Sequence, residues 1–171
     1  AETPASIRRF SNDRTGCGGV DLIGARDTLE TYRQKLSVKG LPSLDAETYQ
    51  VLRIEAGIPR FGPELNQDVV PLEAGLEATA ISFTKGCYTG QEVIARIKTY
   101  GDVAKKLVGL KLSSPATAGQ KIHHDSVDVG IITSAAQSPR FGPIALAYVI
   151  RDHWNPGSRL DAGTITSLPF S

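Results

Sequence analysis

The sequence predicts an α+β protein in which helices come first and a small antiparallel barrel or sandwich follows. Two segments, 25–36 and 46–57, repeat apolar residues at the spacing of three to four that is typical of helices. After Gly101 the pattern changes to short runs rich in β-branched residues. A chain of 171 residues with 40% hydrophobic content is long enough for two small domains. We therefore predict an α+β region over residues 1–103 and a β-rich domain over residues 104–171.

The first region is expected to begin with a β-hairpin. Two short apolar pieces, residues 7–10 and 20–23, flank a loop that contains glycines and an asparagine. In the second helical segment, Asp45 is a suitable N-cap. Gly57 stands where a residue in the left-handed conformation commonly ends a helix. Local residue chemistry thus sets both ends of this helix.

The stretch between the second helix and the β-rich runs is expected to hold little regular structure at first and then a third helix. Residues 58–80 are rich in Pro, Gly and Glu, which indicates an extended loop with a helical turn near residues 72–76. A short amphipathic helix is predicted to begin near Thr89 or Gly90 and to end at Gly101.

The β-rich runs are separated by turn segments, which read SSPATAG, SPRFGP and NPGS. Short runs divided in this way are typical of a small antiparallel barrel or sandwich. The predicted strands lie within KKLVGLKL, QKIHH, VDVGIITSAAQ, IALAYVI and AGTITSLPF.

Composition excludes several classes of function. Nineteen basic residues nearly balance eighteen acidic ones, so net charge points to neither a nucleic-acid partner nor a membrane surface. No apolar run is long enough to span a membrane, and no secretory signal pattern is present, so we expect a soluble, cytoplasmic protein, or a mitochondrial or plastid one in a eukaryote. The two cysteines, Cys17 and Cys87, form no CxxC pair, which argues against a metal site and favours a reducing compartment.

The segment FTKGCYTGQEVIAR, residues 83–96, raises the question of whether Cys87 does chemistry. Lys85 and the start of the predicted helix both favour the thiolate form of this cysteine. The flanking glycines would allow a ligand to approach the backbone. A free cysteine is also often buried as a small hydrophobe, so the local sequence leaves both roles open.

A second candidate is Arg53, in the segment LRIEAGIPRFG, with Glu55 beside it. An arginine can bind a carboxylate with two parallel hydrogen bonds, which lysine does less well. On spacing alone, a helix-surface salt bridge is the more common explanation. The glycines of RTGCGGVDL, residues 14–22, fit either a close ligand approach or a tight turn, and the pattern is not a phosphate loop.

Four stretches together resemble one family. KGCYTGQEVIAR resembles the K-G-C-[FY]-x-G-Q-E signature of the YgfZ-type folate-binding proteins, relatives of the glycine cleavage T-protein, an aminomethyltransferase. RIEAGIPRFGPEL is similar to the R-[IL]-E-A-G-x-P-x-[FY]-G-x-E-L segment of that superfamily. VGIITSAAQSPRFGPIALAYV and the final LPF resemble segments of its C-terminal barrel, with LPF in the closing strand.

The resemblance implies a folate pocket among several domains, with a C-terminal β-barrel and tetrahydrofolate as the cofactor. It also implies that this chain corresponds to the C-terminal part of a protein about twice as long. The N-terminal half would then supply further folate contacts.

The resemblance also implies roles for single residues. Arg53 would bind the carboxylate tail of the folate, and Glu55 would be structural. Cys87 would be the functional residue of the signature. The rest of the motif would form the cofactor-binding surface: Lys85, Gly86, Tyr88, Gly90, Gln91 and Glu92. In the T-protein, a glutamate after R-T-G holds the pterin, whereas here only Asp21 stands nearby, at a shifted position.

The resemblance leads to three hypotheses about function. The first is a tetrahydrofolate-binding accessory protein, rather than a conventional enzyme, that supports iron–sulfur cluster assembly or repair. Its partners would be iron–sulfur proteins, including some that modify tRNA, or cluster-assembly factors, with no direct contact to nucleic acid. The second is a one-carbon transferase of the aminomethyltransferase type. The third is a scaffold that binds nothing without its other half.

Overall fold

A computed structural model describes residues 3–101 and 103–171, and it confirms an α+β fold with an antiparallel barrel. A 3₁₀ turn, Arg151–His153, lies between the sixth and seventh strands. In chain order the elements are β1 Arg8–Ser11, β2 Val20–Ile23, α1 Arg26–Val38, α2 Ala46–Glu55, α3 Glu77–Ala80, α4 Gln91–Tyr100, β3 Lys105–Leu112, β4 Lys121–His124, β5 Val127–Ser138, β6 Gly142–Ile150, β7 Arg159–Leu160 and β8 Gly163–Thr166.

The predicted hairpin and helices are present, and their ends follow local chemistry. Strands β1 and β2 pair antiparallel, with Arg8 opposite Ile23. At the start of α2, the Asp45 carboxylate accepts a hydrogen bond of 2.6 Å from the Thr48 amide. Gly57 follows the helix with a φ of 70°, which is the left-handed conformation predicted for it.

The long connection between α2 and α4 differs from the prediction in one detail. The chain turns over residues 71–76, but the short helix α3 begins only afterwards. Gly75 has a φ of 72°, a left-handed conformation that ends the turn before a helix can continue through it. The predicted turn near residues 72–76 is therefore present, and α3 is an additional short helix after it.

Strands β3 to β8 form a nearly closed barrel with the order β4-β5-β6-β3-β8-β7. The two outermost strands meet where the Asp161 amide donates to the His123 carbonyl at 3.1 Å. The Asp161 carboxylate also accepts from the His123 amide at 2.9 Å. This seam removes most of the exposed strand edge.

The final LPF segment is not the closing strand, so that expectation was wrong. The last strand, β8, ends at Thr166, and a cis peptide bond joins Leu168 to Pro169. Phe170 is buried, and its amide donates to the Glu55 carbonyl at 2.8 Å. The segment thus leaves the barrel and packs against the end of α2.

Strand β6 is buried on both faces and joins two hydrophobic clusters. Ala145, Ala147 and Val149 point into the barrel interior. Ile144, Leu146 and Tyr148 alternate with them and pack on the outside, in a cluster with Ile54 of α2, Leu107 and Phe170. The outer wall of the barrel is therefore covered in part by α2, through Ile54.

None of the helices in the described part of the chain is long and apolar enough to cross a bilayer.

Gly130 on β5 offers a test of barrel packing. A Cβ atom at this position would lie 2.4 Å from the Tyr148 carbonyl oxygen on the neighbouring strand. Gly130→Ala should therefore lower the free energy of unfolding by about 1–3 kcal/mol in chemical denaturation. Gly86→Ala is the matched control, since nothing lies within 4 Å of a Cβ there. This control should lower the free energy of unfolding by at most about 0.5 kcal/mol. Equal losses in the two variants would contradict the close approach of Gly130 to the Tyr148 carbonyl.

Candidate functional site

The cysteine motif lies in an exposed loop between α3 and α4. Gly90 ends the loop with a φ of 86°, and α4 begins at the next residue. Cys87 carries a free, exposed thiol. Cys87 is therefore not part of a hydrophobic core, and the alternative that it is a small buried hydrophobe is wrong.

The side chains of the loop contact one another. The Lys85 ammonium lies 4.5 Å from the centre of the Tyr88 ring, as a cation–π contact. The Gln91 side-chain oxygen accepts a weak hydrogen bond of 3.4 Å from the Tyr88 amide. Glu92 pairs with Arg96 one turn along α4, at 3.1 Å. The loop thus presents a thiol, a cation and an aromatic ring on one exposed segment.

Arg53 has a very different environment, because its side chain is only 1% exposed. Its Nη1 donates to Glu64 Oε2 at 3.1 Å and to the Ile58 carbonyl at 2.8 Å. Its Nη2 donates to Ser134 Oγ at 2.7 Å, and its Nε donates to Gln50 at 2.9 Å. Burial lowers the pKa of Arg53 below its usual value, and the Glu64 carboxylate partly offsets that effect.

Glu64 is the fully buried partner of Arg53. Its Oε1 accepts from Ser134 Oγ at 2.5 Å, and its Oε2 accepts from the Arg60 amide at 3.0 Å. The Tyr148 hydroxyl donates to the Glu64 carbonyl at 3.0 Å. Burial raises the pKa of Tyr148 above its usual value, and the nearby carboxylates raise it further. The hydroxyl therefore keeps its proton and remains a donor.

A second set of contacts lies four residues further along β5. Ser138 Oγ donates to Glu55 Oε1 at 2.6 Å, and Arg140 reaches Glu55 Oε2 at 3.3 Å. Residues four apart on a strand share a face, so Ser134 and Ser138 both point toward α2. We refer to these residues as the buried polar network: Arg53, Glu55, Glu64, Ser134 and Ser138.

The structure therefore separates the two candidate sites. Among residues 3–101 and 103–171, no hydrogen bond or ion pair joins Arg53 to the cysteine loop. Protein acceptors take each of the Arg53 nitrogens, so its predicted contact with a folate carboxylate stays a prediction. Sequence reasoning gave Glu64, Ser134 and Ser138 no role. The available signal was a pair of serines four residues apart on one strand.

The glycine loop of the hairpin is held by Asp21. Arg14 donates to both oxygens of its carboxylate, at 2.9 and 2.6 Å, and Asn12 donates to it at 2.6 Å. These hydrogen bonds lower the pKa of Asp21 to about 2, and the bond from Arg14 has the largest effect. Asp21 is the carboxylate nearest in sequence to the position of the T-protein's pterin glutamate. Its oxygens are thus already hydrogen-bonded within the hairpin.

The buried ion pair predicts a specific stability pattern. Arg53→Ala should lower the free energy of unfolding by about 3–5 kcal/mol, because it leaves Glu64 buried without its cation. Arg53→Met combined with Glu64→Leu should cost far less, since no charge is then left unpaired. Denaturant titration of the single and double variants measures this coupling.

Arg140→Ala is the control for that series, because Arg140 also pairs with a buried glutamate but is 69% exposed. Its cost should be at most about 1 kcal/mol. Additive costs for the Arg53 and Glu64 substitutions would show that the two residues are not coupled.

The Asp21 ion pair predicts a pH dependence. The pKa of Asp21 is lower in the folded protein than the ordinary value of 3.8, so the stabilisation is complete above pH 3.8 and is lost as pH falls toward about 2. Carboxyl-carbon NMR should show the titration midpoint of Asp21 near 2. Arg14→Gln should move the midpoint upward, and a midpoint near 3.8 in the unmodified protein would refute the ion pair.

Comparison with known proteins agrees with the fold. Residues 105–169 match the family model of the glycine cleavage T-protein C-terminal barrel domain. The crystal structure of the glycine cleavage system aminomethyltransferase T from Bartonella henselae superposes with a TM-score of 0.83. It covers 98% of this chain and 50% of that chain, and at 22% sequence identity the likeness concerns the fold alone.

Relatives by sequence extend the match to the helical region. A chloroplastic protein of Arabidopsis thaliana that is named a transferase is 36% identical over 159 residues, which cover 90% of this chain and 36% of that protein. An aminomethyltransferase of Saccharopolyspora erythraea is 33% identical over 172 residues, covering 91% of this chain and 47% of that protein. The chain spans less than half of the length of these relatives. Residues 105–169 thus form a glycine cleavage T-protein C-terminal barrel domain, and the chain as a whole is similar to these two relatives over about nine tenths of its length.

Proposed function

We propose that the protein is a tetrahydrofolate-binding accessory protein that supports iron–sulfur cluster assembly or repair through Cys87. The observation that carries this proposal is the position of that residue, a free and exposed thiol in the KGCYTGQE loop before α4. An exposed thiol can act as a thiolate toward a partner, which a buried cysteine cannot do. The full protein would act in the cytoplasm, or in a mitochondrion or plastid, together with its N-terminal half.

The partner in this proposal is an iron–sulfur protein or a cluster-assembly factor. Cys87 is a free, exposed thiol on a loop that also carries the Lys85–Tyr88 contact, and thiolates are the usual ligands of iron–sulfur clusters. Cys87 would therefore supply one sulfur to a contact completed by the partner. The loop would act between molecules rather than as a closed metal site.

The loop is compatible with a folate at its surface. Lys85 and Tyr88 place an ammonium group against an aromatic ring, and a folate carries both carboxylates and flat rings. The remaining motif residues, Gly86, Gly90, Gln91 and Glu92, would contact the same ligand. Arg53 fits this role less well, because its nitrogens already donate to protein acceptors.

A one-carbon transferase of the aminomethyltransferase type is the second candidate, and the names of the relatives favour it. The hairpin supports the accessory role instead. Asp21, which stands near the position of the T-protein glutamate that holds the pterin, is already bound by Arg14 and Asn12. Transfer of a one-carbon unit to tetrahydrofolate by the purified full-length protein would favour the second candidate.

Genetic complementation tests the accessory role. In a strain that lacks the full-length gene, the activity of an iron–sulfur enzyme should fall, and the unmodified gene should restore it. Cys87→Ala should leave that activity near the level of the deletion strain, because the contacting sulfur is absent.

Cys17→Ala is the matched control, since Cys17 is also a free and exposed cysteine. It should restore activity as the unmodified gene does. Full rescue by Cys87→Ala, with comparable protein levels, would exclude the proposed role of the thiol.

A further inference from the structure

Two histidines from different parts of the chain meet at one end of the barrel. His124 is the last residue of β4, and His153 is the last residue of the 3₁₀ turn that follows β6. The centres of their rings lie 4.9 Å apart, and the ring planes are inclined by 55°. Because the two residues are distant in the sequence, it is the barrel that brings their imidazoles together.

Local backbone structure holds both histidines. His124 lies directly before a two-residue hairpin turn, in which Asp125 and Ser126 have φ values of 51° and 68°. Two consecutive positive φ values are typical of the tight turns that fix the register of a hairpin. The 3₁₀ turn is anchored where the Arg151 amide donates to the Ala104 carbonyl at 3.2 Å. Two ordered segments therefore set the distance between the rings.

The spacing of the rings matches that of two imidazoles bound to one metal ion. Neutral imidazole is the commonest protein ligand of metals such as Zn²⁺, and its nitrogen binds at about 2.0–2.1 Å. Two such rings on a tetrahedral ion have their centres about 5 Å apart, and the observed distance is 4.9 Å. Inclined rings can each direct one nitrogen to a shared ion, which rings stacked face to face cannot do.

Access and charge both favour a cation at this pair. The His124 side chain is 42% exposed and His153 is partly exposed, so an ion can reach them from solution. The Asp125 carboxylate lies 3.7 Å from His124 Nε2, which is beyond hydrogen-bond distance but close enough to attract a cation. Within residues 3–101 and 103–171, no group of three or more histidine, cysteine or acidic side chains is arranged to hold a metal. The protein would therefore provide two ligands, and water would provide the others.

We propose that His124 and His153 form a surface site for a divalent transition metal of the Zn²⁺ class, with water in the remaining positions. The site involves neither Cys87 nor its loop, so it does not depend on the role proposed for that thiol. A metal bound there would tie the end of β4 to the segment after β6. Cations such as Mg²⁺, which prefer oxygen ligands, are not expected to bind.

The chain contains three histidines, so NMR signals of the imidazole rings report on the site residue by residue. Titration of the 171-residue chain with Zn²⁺ should shift the His124 and His153 signals together, with one dissociation constant. The His123 signals should shift far less, since its ring nitrogens already contact Asp128 at 2.7 Å and Asp161 at 3.2 Å. Mg²⁺ at the same concentrations should shift none of the three.

His124→Gln should weaken Zn²⁺ binding at His153 by about tenfold or more, because a chelating pair is reduced to a single contact. His153→Gln should weaken binding at His124 in the same way. His123→Gln is the matched control, since it removes the neighbouring imidazole of β4 and should leave the dissociation constant unchanged. Unchanged dispersion of the amide signals establishes that the variants are folded. Separate dissociation constants for the two rings, unchanged affinity in either site variant, an equal loss in the control, or an equal response to Mg²⁺ would overturn the proposal.

Discussion

The ion pair between Arg53 and Glu64 is the contact on which the union of helices and barrel depends. Transfer of two charges out of water costs several kcal/mol per ion, and attraction within the pair repays that cost only when the remaining donors and acceptors are also satisfied. Ser134, Gln50 and two backbone groups complete that requirement here. In the described part of the chain, no buried side-chain nitrogen or oxygen lacks a hydrogen-bond partner. The network therefore fixes one orientation of α2 against β5.

The same network joins two sequence segments that lie far apart in the chain. Arg53 and Glu64 belong to one segment, and Ser134 and Ser138 belong to the other. Their side chains meet in the interior, whereas Cys87 is exposed on the loop before α4.

Much of the fold could be predicted because its determinants are local. Asp45 and Gly57 set the ends of α2 through contacts with adjacent residues, and the barrel strands follow their own alternation. Strand β7 was missed because two residues carry no pattern. The burial of Arg53 could not be predicted, since its partner Ser134 lies 81 positions away.

The burial of β6 on both faces has a consequence for how the chain can be divided. The barrel is a recognisable family unit, yet a cut ahead of β3 would leave Ile144, Leu146 and Tyr148 facing water instead of α2. An uncovered apolar sheet face promotes self-association. The structural unit that covers this barrel therefore extends beyond the residues 105–169 that match the family model.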